Sequence, residues 1–189
     1  KITFIYGGKS RQESSFKGFM KVKEYTNDTV LIHDAARPNV TEKVILDINR
    51  KLLKHNAVVP VLNITDSIKE SNKNYLYKSL NRENIKIIQT PQGFRLNALE
   101  KIYKDYKYKE LQNILDDSEL FIKRNIKVFA IKGDKNNIKL TTLEDLKYIE
   151  MQNKKEKIMK IGQGIDFHKY VKGDSFKLFG IKVPYKKAL

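Results

Sequence analysis

Leu31-Ile32-His33-Asp34-Ala35-Ala36-Arg37-Pro38-Asn39 joins an apolar run to an abrupt polar turn. Thr29-Val30-Leu31-Ile32 predicts a buried strand, and Pro38 forces the chain out of it, because proline lacks an N–H and biases Arg37 away from helical geometry. The alanines between acid and base keep the turn small enough for a ligand to approach the backbone. An acid and an arginine at the carboxyl end of a strand stand where open α/β sheets bind ligands. By itself the nonapeptide fits a capped loop as well as a binding site.

The flanks place this turn in a larger pattern. Downstream, Thr41 is a predicted N-cap for a helix from Glu42 to about His55, with Val44, Ile45, Ile48, Leu52 and Leu53 as its buried stripe. Ala57–Leu62 then predicts a strand. Upstream, Lys1–Tyr6 predicts a strand, followed by Gly7-Gly8-Lys9-Ser10-Arg11-Gln12 and a helix from Glu13 to about Tyr25 with Phe16, Phe19 and Met20 at helical spacing. Paired glycines before a helix N-terminus let a backbone approach an anion. Strand and helix in alternation predict an α/β fold, a parallel sheet with helices on both faces.

Residues 63–82 break the rhythm. Asp66–Glu70 and Tyr75–Ser79 flank the turn-rich Ser71-Asn72-Lys73-Asn74, which predicts a β-hairpin arm. Such an arm is rarely stable alone in water, so it is expected to pack on another subunit. Ile85–Gln89 returns to the sheet and ends at Thr90-Pro91-Gln92-Gly93-Phe94. Helices are predicted from Leu96 to about Tyr106 and near Ser118–Lys123, and a strand at Val128–Ile131. Thr141 and Glu144 form a capping-box pattern for a helix to about Gln152. A charged linker at 154–158 separates residues 1–153 from a new unit at 159–189, rich in Gly and apolar residues.

Composition narrows the classes. The formal charge is +16, but the lysines are scattered and interleaved with acids, which describes a solvated surface better than a nucleic-acid stripe. A field of that sign favours anionic phosphate substrates. No apolar run approaches the roughly 20 residues of a membrane span. Zero cysteines excludes disulfides and thiolate metal sites and fits the cytoplasm. No Met stands at position 1, as expected of a fragment.

Four pieces occur at predicted strand ends: Gly7-Gly8…Arg11…Ser14, His33-Asp34-Ala35-Ala36-Arg37-Pro38, Thr90-Pro91-Gln92 and Asn137-Ile138-Lys139-Leu140-Thr141. In this order they resemble the 2-C-methyl-D-erythritol 4-phosphate cytidylyltransferases over about residues 1–152. The tail, with Lys160-Ile161-Gly162-Gln163-Gly164-Ile165-Asp166-Phe167-His168 and Leu178-Phe179-Gly180-Ile181-Lys182-Val183-Pro184-Tyr185, looks like the opening of 2-C-methyl-D-erythritol 2,4-cyclodiphosphate synthase. Fusion of the two in this order is a known bacterial arrangement.

The resemblance implies a Rossmann-like nucleotidyltransferase sheet with a β-arm, followed by the start of an α+β cyclase domain. It implies attack of methylerythritol phosphate on the α-phosphorus of CTP with Mg²⁺ and loss of pyrophosphate. Catalysis then rests on cations and alignment. By the same resemblance Arg82 and Lys139 position the attacking phosphate, and Asp34 and Arg37 contact the sugar-phosphate ligands. Ala35 offers backbone near the nucleotide, Gly8 and Ser14 belong to a cytosine-recognising loop, and Ser67 and Thr90 supply hydroxyls around methylerythritol phosphate. The arm carrying Arg82 is expected to reach the neighbouring subunit's site in a homodimer.

In the tail, Asp166 and His168 project to one face if the segment is a strand, as two ligands of one metal require. The cyclase resemblance implies Zn²⁺ or a similar divalent ion with a third ligand beyond Leu189, and a trimer of the complete domain. The family's glycine-rich, basic CTP loop is expected upstream of Lys1, so residues 1–189 are expected to carry half of a catalytic site and to be inactive alone.

Three positions depart from the family pattern: Leu115 for Thr, Ser67 for Thr and Ser15 for Val. Two other readings stay in view. One is a cytidylyltransferase for another polyol phosphate such as ribitol 5-phosphate, against which the tail argues. The other is a basic RNA-binding module, whose local support is Tyr103, Tyr106 and Tyr108 among lysines; the expectation is no nucleic-acid and no membrane partner.

Overall fold

The computed structural model describes residues 2–24, 28–105, 114–153, 171–178, 181–184 and 187–188. It divides into two units, 1–149 and 150–189. The first unit opens with α1 (Arg11–Val22), capped by the Ser10 hydroxyl, which accepts from Glu13 N. Strand β1 (Thr29–Ile32) follows, then α2 (Glu42–Leu52), β2 (Ala57–Asn63), a hairpin of β3 (Ile68–Asn72) and β4 (Tyr75–Leu80), β5 (Lys86–Ile88) and β6 (Gln92–Arg95). Next come α3 (Leu96–Asp105), the short α4 (Asp117–Ile122) capped by Asp116, β7 (Phe129–Lys132) and α5 (Leu143–Asn153). Beyond the boundary, β8 (Val171–Lys172) pairs with β11 (Lys187–Ala188), and β9 (Ser175–Leu178) with β10 (Ile181–Pro184).

The sheet is mixed, which corrects the expectation of a parallel one. β6 pairs antiparallel with both β1 and β2, so β1 and β2 point the same way with a reversed strand between them. β7 pairs parallel with β2, while β5 runs antiparallel to it. The strand–helix–strand pattern gave β1, α2 and β2 their shared direction but carried no sign of the inserted β6. Thr90–Phe94 was expected to end a strand; Gln92–Phe94 in fact begin one.

Alternation along the strands sends side chains to two cores. Val30 and Ala57 join Phe19, Phe94, Leu99, Tyr103, Leu120 and Phe121 on the face covered by α1, α3 and α4. Leu31 and Val58 join Val44, Ile48 and Leu52 under α2. Helices on both faces are therefore what these residues require. Tyr103, offered as support for RNA binding, is buried against Phe16 and Phe19, so it is core; Tyr106 and Tyr108 lie outside the described residues.

Three local expectations change. Residues 2–6 are not a strand: Phe4 and Tyr6 are exposed, and no other strand among the described residues pairs with them, whereas a strand needs a neighbour's backbone. Leu53 is exposed because α2 ends at Leu52, one position before it. The cap of α5 is shifted by one residue: Asp145 N donates to Thr142 Oγ1, and the Asp145 carboxylate accepts from Thr141 N and Thr142 N. The expected arm forms, with Lys73 in the left-handed region (φ 51°) at its turn.

α2 lies close to β6 at Gly93, where a Cβ would stand 2.2 Å from Ile48 Cγ2 and 3.0 Å from Leu52 Cδ1. Gly93→Ala should lower stability by about 1–3 kcal/mol through overpacking. Denaturant titration measures this; an unchanged midpoint would mean that α2 shifts freely.

Candidate active site

The turn after β1 closes with Arg37 N donating to Asp34 O at 2.9 Å. This presents the Asp34 carboxylate to cations from three segments. Arg11 Nε, on the first residue of α1, lies 3.2 Å from Oδ1. Lys139 Nζ, from the loop after β7, lies 3.1 Å from Oδ2, and Arg37 Nε 3.9 Å from the same oxygen. Burial alone would raise the Asp34 pKa, but the hydrogen bond from Lys139 and the charge of Arg11 outweigh it and hold the carboxyl below its ordinary value.

Backbone contacts fix Lys139. Leu140 N donates to Ala36 O at 2.8 Å, and Arg37 Nη1 donates to Asn137 O at 2.8 Å. Buried Asn137 donates through Nδ2 to Thr90 O at 2.8 Å, while buried Gln89 donates to Asp134 O and Asn137 O. Three loops are thereby tied together beneath the site.

Arg11 has a second anchor. Its Nη1 lies 2.9 Å from Oδ2 of Asp117, a fully buried carboxylate that also accepts from Gln12 Nε2 at 2.6 Å and Tyr103 OH at 3.1 Å. Burial pulls the Arg11 pKa down, but the charges and hydrogen bonds of Asp117 and Asp34 together outweigh it and the net shift is upward. Burial and then Asp117 push the Tyr103 hydroxyl well up, so it stays protonated as a donor.

Arg11, Asp34, Arg37, Thr90, Gln92 and Lys139 line a cavity of about 200 Å³, with Ile88 and Leu115 as apolar wall and Asp116 at its edge. Three cations against two carboxylates leave it net positive, which suits an anionic ligand. The Gln92 carboxamide is buried; its oxygen accepts from Ser118 N at 3.0 Å and its Nε2 has no partner.

Of the residues expected at the site, Asp34, Arg37, Thr90 and Lys139 meet at this cavity. Ala35 is exposed on the same turn. Gly8 and Ser14 bond to each other at 2.9 Å, and a Cβ on Gly8 would strike Glu13, so the glycine permits the loop to close there. They share a loop and helix with Arg11 but do not line the cavity. Ser67 and Arg82 sit at the base of the arm, where Arg82 donates to Thr65 O, and neither lines the cavity. Asp166 and His168 lie outside the described residues.

No group of three His, Cys, Asp or Glu side chains among the described residues is placed to hold a metal. Asp34 is engaged by Arg11, Arg37 and Lys139, and Asp116 Oδ1 caps α4. Sequence reading overlooked the parts of Arg11, His33, Gln92 and Asp117. For Arg11 the signal was present, three residues before Ser14 in a motif already singled out.

The mixed sheet with helices on both faces is an α/β nucleotidyltransferase fold. Residues 1–154 match the family described as 2-C-methyl-D-erythritol 4-phosphate cytidylyltransferase, and the chain belongs to that family. It is 34% identical over 183 residues to a Pelagibacter ubique protein named "Bifunctional enzyme IspD/IspF", covering 97% of this chain and 46% of the relative. The chain thus spans about half the length of the curated relatives it matches. The crystal structure of the Thermus thermophilus 2-C-methyl-D-erythritol 4-phosphate cytidylyltransferase superposes with a TM-score of 0.70 at 27% identity, over 79% of this chain and 71% of that one. The bifunctional IspDF of Campylobacter jejuni matches at 0.63 and 30%, over 76% and 36%. No helix among the described residues is long and apolar enough to cross a membrane.

Two outcomes follow from the ion pairs. Asp117→Ala, which strands Gln12, Tyr103 and Arg11 around a buried void, should cost on the order of 3 kcal/mol in unfolding free energy; a loss under about 1 kcal/mol would make the pair incidental. The folded Asp34 carboxyl titrates below its ordinary 3.8, so its pairing stabilises the fold above that value and is lost as pH falls through the lower folded value. The stability gap between the native chain and Asp34→Asn should hold from neutral pH to about pH 4 and narrow below it. A gap that widens in acid would reverse the assignment.

Proposed function

We propose that the full-length protein transfers a cytidylyl group from CTP to 2-C-methyl-D-erythritol 4-phosphate. A phosphate oxygen of the polyol phosphate forms a bond to the α-phosphorus of CTP, the bond from that phosphorus to the bridging oxygen breaks, and pyrophosphate leaves. The observation that carries this reading is the convergence of Lys139, Arg11 and Arg37 on Asp34 in a net positive cavity at the carboxyl end of β1. Lys139 is half exposed, held toward the cavity by Asp34, and supplies a point contact for the attacking phosphate. Asp34, Arg37 and Thr90 surround the sugar phosphate, Ala35 lends backbone to the nucleotide, and Gly8 and Ser14 shape the cytosine loop. Mg²⁺ accompanies the triphosphate; no step is derived through it.

Arg82 cannot join Lys139 within one chain's cavity, so the proposed site is completed in a homodimer whose 63–82 arm reaches the neighbouring subunit. The arm supports this: Tyr75, Leu76 and Tyr77 are all exposed, an apolar cluster suited to burial against a partner. For residues 159–189 we propose the start of a cyclase that forms 2-C-methyl-D-erythritol 2,4-cyclodiphosphate with release of CMP. Asp166 and His168 would be two of its Zn²⁺ ligands, and the complete domain would trimerise. Support comes from the bifunctional names of relatives that span this tail. The nucleotide and polyol phosphate substrates fit a cytoplasmic enzyme.

The test is pyrophosphate release by the full-length protein from CTP, methylerythritol phosphate and Mg²⁺. Equal turnover of ribitol 5-phosphate, or none of either, would sink the proposal. Lys139→Ala and Arg82→Ala should each reduce kcat/KM at least about 100-fold by removing a charge that acts on the transferring phosphate. Mixing the two inactive variants should restore up to about a quarter of native activity, because a mixed dimer keeps one intact site. Failure to complement after subunit exchange would place Arg82 outside the neighbour's site.

A further inference from the structure

His33 does not line the cavity, yet it holds a group that does. Its Nε2 is 2.9 Å from the Arg37 carbonyl oxygen. A carbonyl only accepts, so Nε2 carries the hydrogen. Its Nδ1 is 3.0 Å from Thr90 Oγ1, and that same oxygen accepts from Asp34 N at 3.0 Å. A threonine hydroxyl has one hydrogen and two acceptor lone pairs, so its remaining valence is decided by the imidazole.

With neutral His33, Nδ1 is bare and takes the hydroxyl hydrogen. One lone pair then accepts the Asp34 N–H, and the other is left for a ligand donor. With charged His33, Nδ1–H donates to Thr90, both lone pairs are filled, and the hydroxyl hydrogen is released toward the cavity. Thr90 therefore offers a ligand an acceptor in one state and a donor in the other.

We propose that His33 is a positioning residue that sets the polarity of Thr90 toward substrate: neutral His33 makes Thr90 the acceptor for a hydroxyl of a polyol phosphate, and protonation of His33 withdraws it. This rests on the polyol phosphate reading above. The rest of the site explains why an acceptor matters there. Arg11, Arg37 and Lys139 already supply donors for phosphate, and both Asp34 oxygens are taken by Arg11 and Lys139. Thr90 Oγ1 thus offers a polyol hydroxyl a neutral acceptor beside carboxylates already paired with cations or a helix end. His33 itself meets Arg37 O and Thr90 Oγ1, and the charged groups of the cavity that Thr90 lines are Asp34 and Arg37 from the turn that carries His33, Arg11 from α1, Lys139 from the loop after β7 and Asp116 before α4. Both arginines keep their charge, and Asp34, held low, stays ionised.

Two measurements on the full-length protein test this. Ring ¹⁵N shifts, assigned to His33 through His33→Asn, should show the Nε2–H tautomer in the neutral ring. An Nδ1–H tautomer would overturn the proposal. The KM for methylerythritol phosphate should rise about fivefold more in the native enzyme than in His33→Asn as pH falls through the range in which the ring shifts show His33 gaining its proton, the worth of one hydrogen bond, with kcat moving less. The Asn amide oxygen accepts from Thr90 without titrating, so this component vanishes there. Thr90→Val should lack it too, and Thr90→Ser should restore it. Persistence of the full component in His33→Asn or Thr90→Val would overturn the proposal. Absence of turnover by the native enzyme would instead overturn the cytidylyltransferase reading, and the spectra alone would then decide the tautomer.

Discussion

Asp117 is a carboxylate with no exposed surface, and the site depends on how its charge is compensated. An ionised group taken out of water is tolerated only when paired and hydrogen-bonded. Here the pairing is complete: Arg11 supplies the charge, Gln12 and Tyr103 supply further donors, and α4 is held to α1 and α3 as a result. Arg11 is thereby fixed with its Nε free to meet Asp34. Asp34 in turn orients Lys139. The proposed reactive cation is fourth in a relay of charges whose first member lies in the core. A guanidinium suits the middle of such a relay, since its planar fork reaches two carboxylates at once where an ammonium is a single point.

Much of the fold was legible because it depends on short-range rules. The stripe Val44, Ile48, Leu52 marked α2, and the turn-rich Ser71–Asn74 marked the hairpin. What could not be read was pairing. Gln92–Arg95 is too short and too polar to announce a central strand, and it becomes one because β1 and β2 present open edges on either side. Residues 2–6 make the opposite case: their apolar pattern is strand-like, but pattern without a neighbouring edge leaves them unpaired.

The site divides in the same way. Asp34, Arg37, Thr90 and Lys139 stood in motifs at strand ends; the ends of β1 and β7 converge because those strands point one way, and Thr90 joins them because the antiparallel β6 starts beside the end of β1. Gln12, Tyr103 and Asp117 stood in no motif. Their contact joins residues about a hundred positions apart, and periodicity places each only on its own helix. His33 was visible inside its motif but mute, since its role lies in which nitrogen faces Thr90.

The strong positive charge is a separate matter from the site. Six of the 38 basic residues are arginines, and each makes a directed contact. Arg11 bridges two carboxylates, Arg37 donates to Asn137 O, Arg82 to Thr65 O, and Arg95 to both Leu52 O and Leu53 O at the end of α2. Arg50 and Arg124 pair with Asp47 and Asp105. Most described lysines instead extend from exposed helix and loop positions, where a hydrated point charge costs little and contributes little. A composition drifting toward lysine can therefore raise net charge without moving the geometry, so long as fork-shaped donors keep the positions that need two bonds. Lys139 is the informative exception. It is held by a carboxylate and turned to the cavity, where in the proposed reaction a single ammonium would follow a moving phosphate better than a fixed fork.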